Sequence, residues 1–153
     1  MPVRNEASLL PGCLEDILFQ TLAEIELVIV DDGSTDTTAE VLKEASKRDP
    51  RIRVINTNHN GIISALNIGL AECNGQYIAR MDADDRMDKT RLEKQLKLMK
   101  RNPELELSGC RIGGFTDSGR ISHSIEKYQS WSNSLISHQQ IEYDLFAECP
   151  IAH

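Results

Sequence analysis

Short apolar runs alternate with helical apolar stripes along most of this chain, and that alternation restricts the folds open to it. Leu27-Val28-Ile29-Val30 is continuously apolar, the pattern of a strand covered on both faces rather than one. Met1-Pro2-Val3 reads as the end of another strand, and Ile52–Ile55, Gln76–Met81 and Leu105–Cys110 as three more. Between them lie stripes at helical spacing: Leu10, Cys13, Leu14, Ile17 and Leu18; Val41, Leu42 and Ala45; Ile62, Ile63, Leu66 and Leu70; Leu92, Leu96 and Met99. The punctuation agrees with this reading. Pro11 suits a first helical turn, and Ser34, Thr35 and Asp36 supply N-cap chemistry, with Thr37-x-x-Glu40 as a capping box. Asp49-Pro50, Asn74-Gly75 and Asn102-Pro103 stop the helices. Strands and helices in this order predict an α/β fold, a mostly parallel central sheet flanked by helices. Beyond Gly113-Gly114 the pattern weakens; residues 115–140, with Trp131 isolated, read as a loop or insertion bordering a site.

With 153 residues, the chain suits one domain and can bury roughly 68–70% of its unfolded surface. Its net charge of −7 argues against a nucleic-acid partner, because phosphate backbones are bound by clustered cations. An acidic protein that handles an anionic nucleotide needs a cation between the two. No apolar run approaches the ~18–20 residues of a membrane span, and the opening residues lack the core of a secretory signal. Cys13, Cys73, Cys110 and Cys149 are far apart in sequence, as expected of free buried thiols in a reducing compartment. His59 falls in the polar turn Thr57–Gly61 and reads as a loop residue. The opening at Met1–Glu6 and the close at Cys149–His153 read as a chain cut from a longer one.

Two acidic clusters carry the chemistry. Asp31-Asp32-Gly33-Ser34 and Asp82-Ala83-Asp84-Asp85 each follow an apolar run. Strand ends of this kind place carboxylates where open α/β sheets bind ligands. An EF-hand starting at Asp82 is excluded by Met87, where the loop needs glycine. No G-x-G-x-x-G or P-loop string is present, and a phosphatase-type nucleophile at Asp31 lacks the paired spacing. Asp82 and Asp84 stand two apart on one extended edge, so both point the same way. They form a hard-oxygen pair suited to Mg²⁺ or Mn²⁺ shared with phosphate oxygens. Asp32, on the neighbouring strand end, is then placed to accept from a base N–H.

The strings MPVRNEA, ELVIVDDGSTDTT, NGIISALNIGLAECNGQYIARMDADD and RLEKQL resemble, in order and spacing, the N-terminal half of the inverting family 2 glycosyltransferases. The resemblance covers residues 1 to about 110. It implies a GT-A fold, a Rossmann-like nucleotide-binding half over 1–110 followed by the start of an acceptor-binding part over 111–153. It also implies a nucleotide-diphosphate sugar donor and a divalent metal, Mn²⁺ or Mg²⁺. By position, Pro2, Arg4 and Glu6 wall the nucleoside pocket after the first strand, although the family usually has an aromatic residue where this chain has Arg4. A guanidinium can also stack on a base. Asp32 matches the base-contacting aspartate with Asp31 as its support, and Gly61 and Asn67 match the lining of base and ribose. In the D-x-D string Asp82 matches the ribose contact and Asp84 the metal ligand. Asp85 suits a turn cap, and Arg91 and Gln95 a structural role.

The resemblance further implies a glycan or lipid-linked sugar acceptor and a cytoplasmic location, peripheral to the inner membrane. It places the catalytic base in a later segment. Glu142, Asp144 and Glu148 lie outside the matching context, so the catalytic residue is not assigned within these 153 residues. Two other readings share the sheet and the nucleotide. A sugar-phosphate nucleotidyltransferase would need a Gly-rich basic loop after the first strand, and a catalytically silent nucleotide-binding module would bind donor without turnover.

Overall fold

The computed structural model describes residues 1–116, 119, 121–145 and 149–151. It divides into two compact units, Met1–Leu96 and Lys97–His153.

The first unit is built on a parallel sheet. Strands β1 (Pro2–Val3), β2 (Leu27–Asp31) and β3 (Ile52–Asn56) lie in that order. Pro2 pairs in register with Val30, and Leu27 to Asp31 run alongside Ile52 to Asn56. Every residue of β2 is buried, which explains its unbroken apolar run. Leu27 and Ile29 join a core with Leu10, Cys13, Leu14 and Ile17 of helix α1 (Leu10–Leu18) and Leu42 of α2 (Thr38–Arg48). Val30, on the alternate side of the strand, faces Gly69 of α3 (Ile62–Glu72). Gly69 and Ala65 are the buried positions of α3, one helical turn apart, and their small size lets the helix lie close to the sheet.

The loop after β1 is sewn to the loop after β2. Asn5, at φ 57°, donates its amide to Ser34 Oγ (3.0 Å) and accepts from the Thr35 amide (2.8 Å). The Glu6 amide donates to Thr38 Oγ1 (2.9 Å), and Thr38 is fully buried. The expected capping box at Thr37 does not form; Thr37 makes no side-chain cap. Asp36 acts instead, accepting from the amides of Thr38 (3.0 Å) and Ala7 (3.3 Å). One carboxylate can thus cap the helix and tie down the neighbouring loop.

Two expected strands are absent from the described sheet. Gln76–Met81 is irregular: Met81 and Ala83 sink into the core while Tyr77 and Ile78 stay exposed. Its apolar character serves anchoring rather than pairing. Leu105–Cys110 is likewise irregular and mostly exposed, without a neighbouring strand to satisfy its backbone groups. The segment from Met81 to the start of α4 (Arg91–Arg101) is clamped by the end of α1. Asp16 binds the Arg86 guanidinium (2.5 and 2.9 Å) and the Met87 amide (3.1 Å). Buried Gln20 donates to Asp88 O (2.9 Å) and accepts from the Leu92 amide (3.1 Å). From the other side, Arg91 reaches Arg80 O (3.4 Å) and Met81 Sδ (3.2 Å), and its Nε donates to Gln95 (3.1 Å).

In the second unit the expected loop over 115–140 is corrected: α5 (His123–Ser134) and α6 (His138–Asp144) form there. Their signals are caps, which a search for apolar stripes overlooks. Ser122 accepts from the Ile125 amide, and Ser137 with Gln140 makes a full capping box. Trp131 is not isolated. Its ring centroid lies 5.7 Å from that of Tyr128, and its indole N–H donates to Asp144 (3.2 Å). Asn133 donates to and accepts from the Ile112 backbone, both at 2.8 Å.

Candidate functional site

A cavity of about 350 Å³ opens at the carboxyl end of the strands in the first unit. Pro2, Arg4, Glu6, Asp32, Gly61, Asp82 and Asp84 line it, together with Val3, His59, Ile62, Ala65 and Ala83. Four sequence segments converge here: β1, β2 and β3 end side by side, the last leading through the Thr57–Gly61 turn into α3, and Met81 and Ala83 anchor the acidic loop to the core. Pro2 belongs to β1 itself rather than to the loop that follows. Asn67 is not among the lining residues. It is exposed, two positions from both Ala65 and Gly69, and so faces away from the sheet.

Asp31 supports the turn, its carboxylate accepting from the Ser34 amide (3.0 Å) and hydroxyl (2.5 Å). Asp32 is buried, and its own chain fills both of its oxygens. Oδ1 accepts from Thr57 Oγ1 and the Asn60 amide (both 2.7 Å), and Oδ2 from the Gly61 amide (2.8 Å) and His59 Nδ1 (3.2 Å). The Thr57 hydroxyl bond, then the Asn60 amide, lower its pKa from 3.8 to about 2 against the opposing cost of burial; the Gly61 and His59 bonds add to the lowering. With four acceptor positions occupied, Asp32 is the peg on which the Thr57–Gly61 turn hangs.

Gly33 completes the join. At φ +70°, a Cβ there would stand 2.8 Å from the His59 amide nitrogen, so no larger residue fits. His59 (φ 43°) and Gly61 (φ 87°) both adopt left-handed backbone, which turns the chain sharply into α3. His59 is the lining residue that the sequence reading set aside as a loop histidine. Its sequence signal is weak, a histidine two residues before a helix-opening glycine.

The far wall is acidic. Glu6, Asp82 and Asp84 line it, while Arg4 is the one Lys or Arg among the lining residues. Burial raises the Glu6 carboxyl above its ordinary range, and the negative charges of Asp84 and Asp36 add to the rise. Asp82 is loosely held by Arg80 (3.4 and 3.5 Å). Among the described residues nothing engages the exposed Asp84 carboxylate, and no group of three or more His, Cys, Asp or Glu side chains is arranged to hold an ion. An open carboxylate in an acidic wall fits a divalent ion that takes its remaining ligands from phosphate and water. Asp88, by contrast, is occupied locally, accepting from the Thr90 amide (2.9 Å) and hydroxyl.

Of the candidate bases, Asp144 is bound by Trp131 (3.2 Å) and Glu142 lies 3.7 Å from His138 on the same helix. Glu148 lies outside the described residues.

The chain belongs to glycosyl transferase family 2, whose model matches residues 1–152. An uncharacterized glycosyltransferase of Haemophilus influenzae is 33% identical over 145 residues, 93% of this chain and 45% of that protein. The chondroitin synthase of Escherichia coli is 38% identical over 93 residues, 61% of this chain and 14% of that protein. Among solved structures, a mannosyltransferase from Pyrobaculum calidifontis in complex with GDP-Man and Mn²⁺ aligns with TM-score 0.60 and 27% identity. The alignment covers 64% of this chain and 30% of that one. The fold is of the GT-A glycosyltransferase type. The chain spans less than half the length of these relatives.

Proposed function

We propose that these residues form the donor-binding part of a metal-dependent, inverting glycosyltransferase acting in bacterial surface polysaccharide or glycolipid synthesis. One observation carries the reading. A single groove brings a loop-anchored D-x-D pair together with the loops that follow β1, β2 and β3, and leaves Asp84 open to an ion. A nucleoside diphosphate laid along the groove has its base between Pro2, Arg4 and the Thr57–Gly61 turn, its ribose near Asp82 and its diphosphate towards Asp84. Mn²⁺ or Mg²⁺ held by Asp84 would supply positive charge to offset the negative charge developing on the departing diphosphate. The acceptor hydroxyl attacks the anomeric carbon as the bond to the diphosphate breaks, and its proton passes to a base.

The family membership and the chondroitin synthase relative support a glycan or lipid-linked acceptor, and the Mn²⁺ complex of the mannosyltransferase supports the metal. We place the reaction at the cytoplasmic face of the membrane, where nucleotide sugars are made; among the described residues no helix is long and apolar enough to cross it. The nucleotidyltransferase reading is disfavoured by a groove whose lining offers Arg4 as its one Lys or Arg.

Calorimetric titration of the 153-residue chain with UDP, GDP and dTDP, in Mn²⁺ and in EDTA, tests the reading. Metal-dependent binding of one of them is expected. Failure of all of them to bind a folded chain would overturn it.

A further inference from the structure

Helix α4 runs against the charge of the chain. The protein carries a net charge of −7, yet Arg91, Lys94, Lys97, Lys100 and Arg101 place five of its 17 Lys and Arg in this 11-residue helix. Glu93 is the one acid of the helix, and its carboxylate accepts from the Thr21 hydroxyl (2.8 Å). The cations gather on one side. Leu92, Leu96 and Met99 are half-buried, whereas the exposed residues are Lys94, Lys97, Leu98, Lys100 and Arg101. Lys94, Lys97, Leu98 and Arg101 follow the spacing i, i+3, i+4, i+7 of a single helix face. Leu98, 45% exposed, therefore stands among cations, with Lys94 one turn before it and Arg101 one turn after.

Ordinary surface chemistry accounts for part of this. Cations in a last turn suit the helix dipole, which covers Lys100 and Arg101 but not Lys94 or Lys97. A solvated face usually intersperses both signs; this one does not. Ion pairing is slight: Lys94 lies 3.8 Å from Asp88, and among the described residues no acidic side chain engages Lys100 or Arg101. The patch ends at Glu104 and Glu106, both exposed beyond the helix.

We propose that the exposed face of α4 is the surface by which this protein docks on an anionic lipid membrane. Its cations meet lipid phosphates, and Leu98 enters the headgroup region between them. The rest of the chain is acidic and repelled by the same surface, so the attraction also sets which side of the protein faces the lipid. A nucleic acid offers phosphates but no apolar layer for Leu98, which favours the membrane. The membrane placement proposed above thereby gains a docking surface that is distinct from the donor groove.

The test is co-sedimentation of the 153-residue chain, without nucleotide, with vesicles of phosphatidylcholine alone and of phosphatidylcholine mixed with phosphatidylglycerol. Binding to the mixed vesicles is expected at about 0.1 M salt and should be largely lost at about 1 M, where screening shortens from about 10 Å to about 3 Å. Lys100→Glu with Arg101→Glu should weaken it by about tenfold or more. The same change in net charge at exposed positions of α2, Lys43→Glu with Lys47→Glu, should leave it within about threefold. Leu98→Ser should weaken it by about threefold or more. Circular dichroism establishes that each variant is folded; should the charge reversal unfold the chain, Lys100→Gln with Arg101→Gln gives the same reading with a smaller loss. Four results would each overturn the assignment: no binding to the anionic vesicles, equal binding to phosphatidylcholine alone, equal losses from the α2 and α4 pairs, or binding of a DNA duplex as tight as that of the vesicles. Because no nucleotide is present, failure of the donor-site reading would leave the vesicle result as it stands.

Discussion

The acidic residues of this site differ more in what already holds them than in where they lie. Asp32 is saturated by its own chain, Asp88 caps Thr90, and Asp84 is open to the groove. Asp84→Asn should therefore weaken Mn²⁺-dependent nucleotide binding by about tenfold or more, ~1.4 kcal/mol. Asp88→Asn should leave that affinity nearly unchanged; equal losses in calorimetry would remove Asp84 as the metal ligand. Asp32 also sets a pH dependence. Its folded-state pKa, about 2, lies below the ordinary 3.8, so its contribution to stability is fully present above about pH 4 and is lost as pH falls towards 2. In an acid titration followed by circular dichroism, Asp32→Asn should flatten that part of the stability curve. Gly33→Ala meets both a left-handed backbone and a contact at 2.8 Å with the His59 amide nitrogen. It should cost about 1–3 kcal/mol in chemical denaturation.

At the scale of elements, regular structure and irregular structure are stabilised by different means. The buried strand β2 and the helices on either side rely on apolar burial. Leu42→Ala, at 1% exposure, should cost about 2–5 kcal/mol, read as a shift in denaturant midpoint. The segment from Met81 to Arg91 relies on polar clamps from α1 and α4, chiefly Asp16, Gln20 and Arg91. Asp16→Ala should loosen this acidic loop more than it destabilises the sheet. Amide hydrogen exchange would then rise around Met87 while Val28–Val30 stays protected; a uniform rise would contradict the clamp. The RLEKQL string thus has a local purpose, since its arginine grips the backbone that leads into the D-x-D pair. Helices α5 and α6 depend on caps at Ser122 and Ser137 rather than on an apolar stripe.

For the molecule as a whole, the groove lies within the unit Met1–Leu96. A ligand that binds only the folded state stabilises it by mass action, about 2.7 kcal/mol at a hundred times its Kd. A donor nucleotide with Mn²⁺ should accordingly raise the melting temperature, EDTA should reverse the rise, and the gain in exchange protection should centre on residues 2–6, 57–65 and 82–84. Protection gained equally over 123–144 would contradict the placement of the site.

The sequence alone determined the repeating pattern of the first unit, because burial on both faces of β2 leaves an unbroken apolar run and one-sided burial of α1 and α2 leaves a periodic trace; the stripe expected for α3 is corrected, since Ile62, Ile63 and Leu70 are exposed and the buried positions are Ala65 and Gly69. It also determined which strings carry the chemistry, since Asp31-Asp32-Gly33-Ser34 and Asp82-Ala83-Asp84 depend on local spacing. Tertiary structure decided the remainder. Whether Gln76–Met81 pairs as a strand or merely anchors depends on neighbours remote in sequence, and so does the occupancy of Asp32, which is filled by donors 25 to 29 residues away. Asn67 misses the groove because the close approach of Ala65 and Gly69 to the sheet fixes the rotation of α3. His59 enters it because Gly33, on another loop, has no side chain to keep it out.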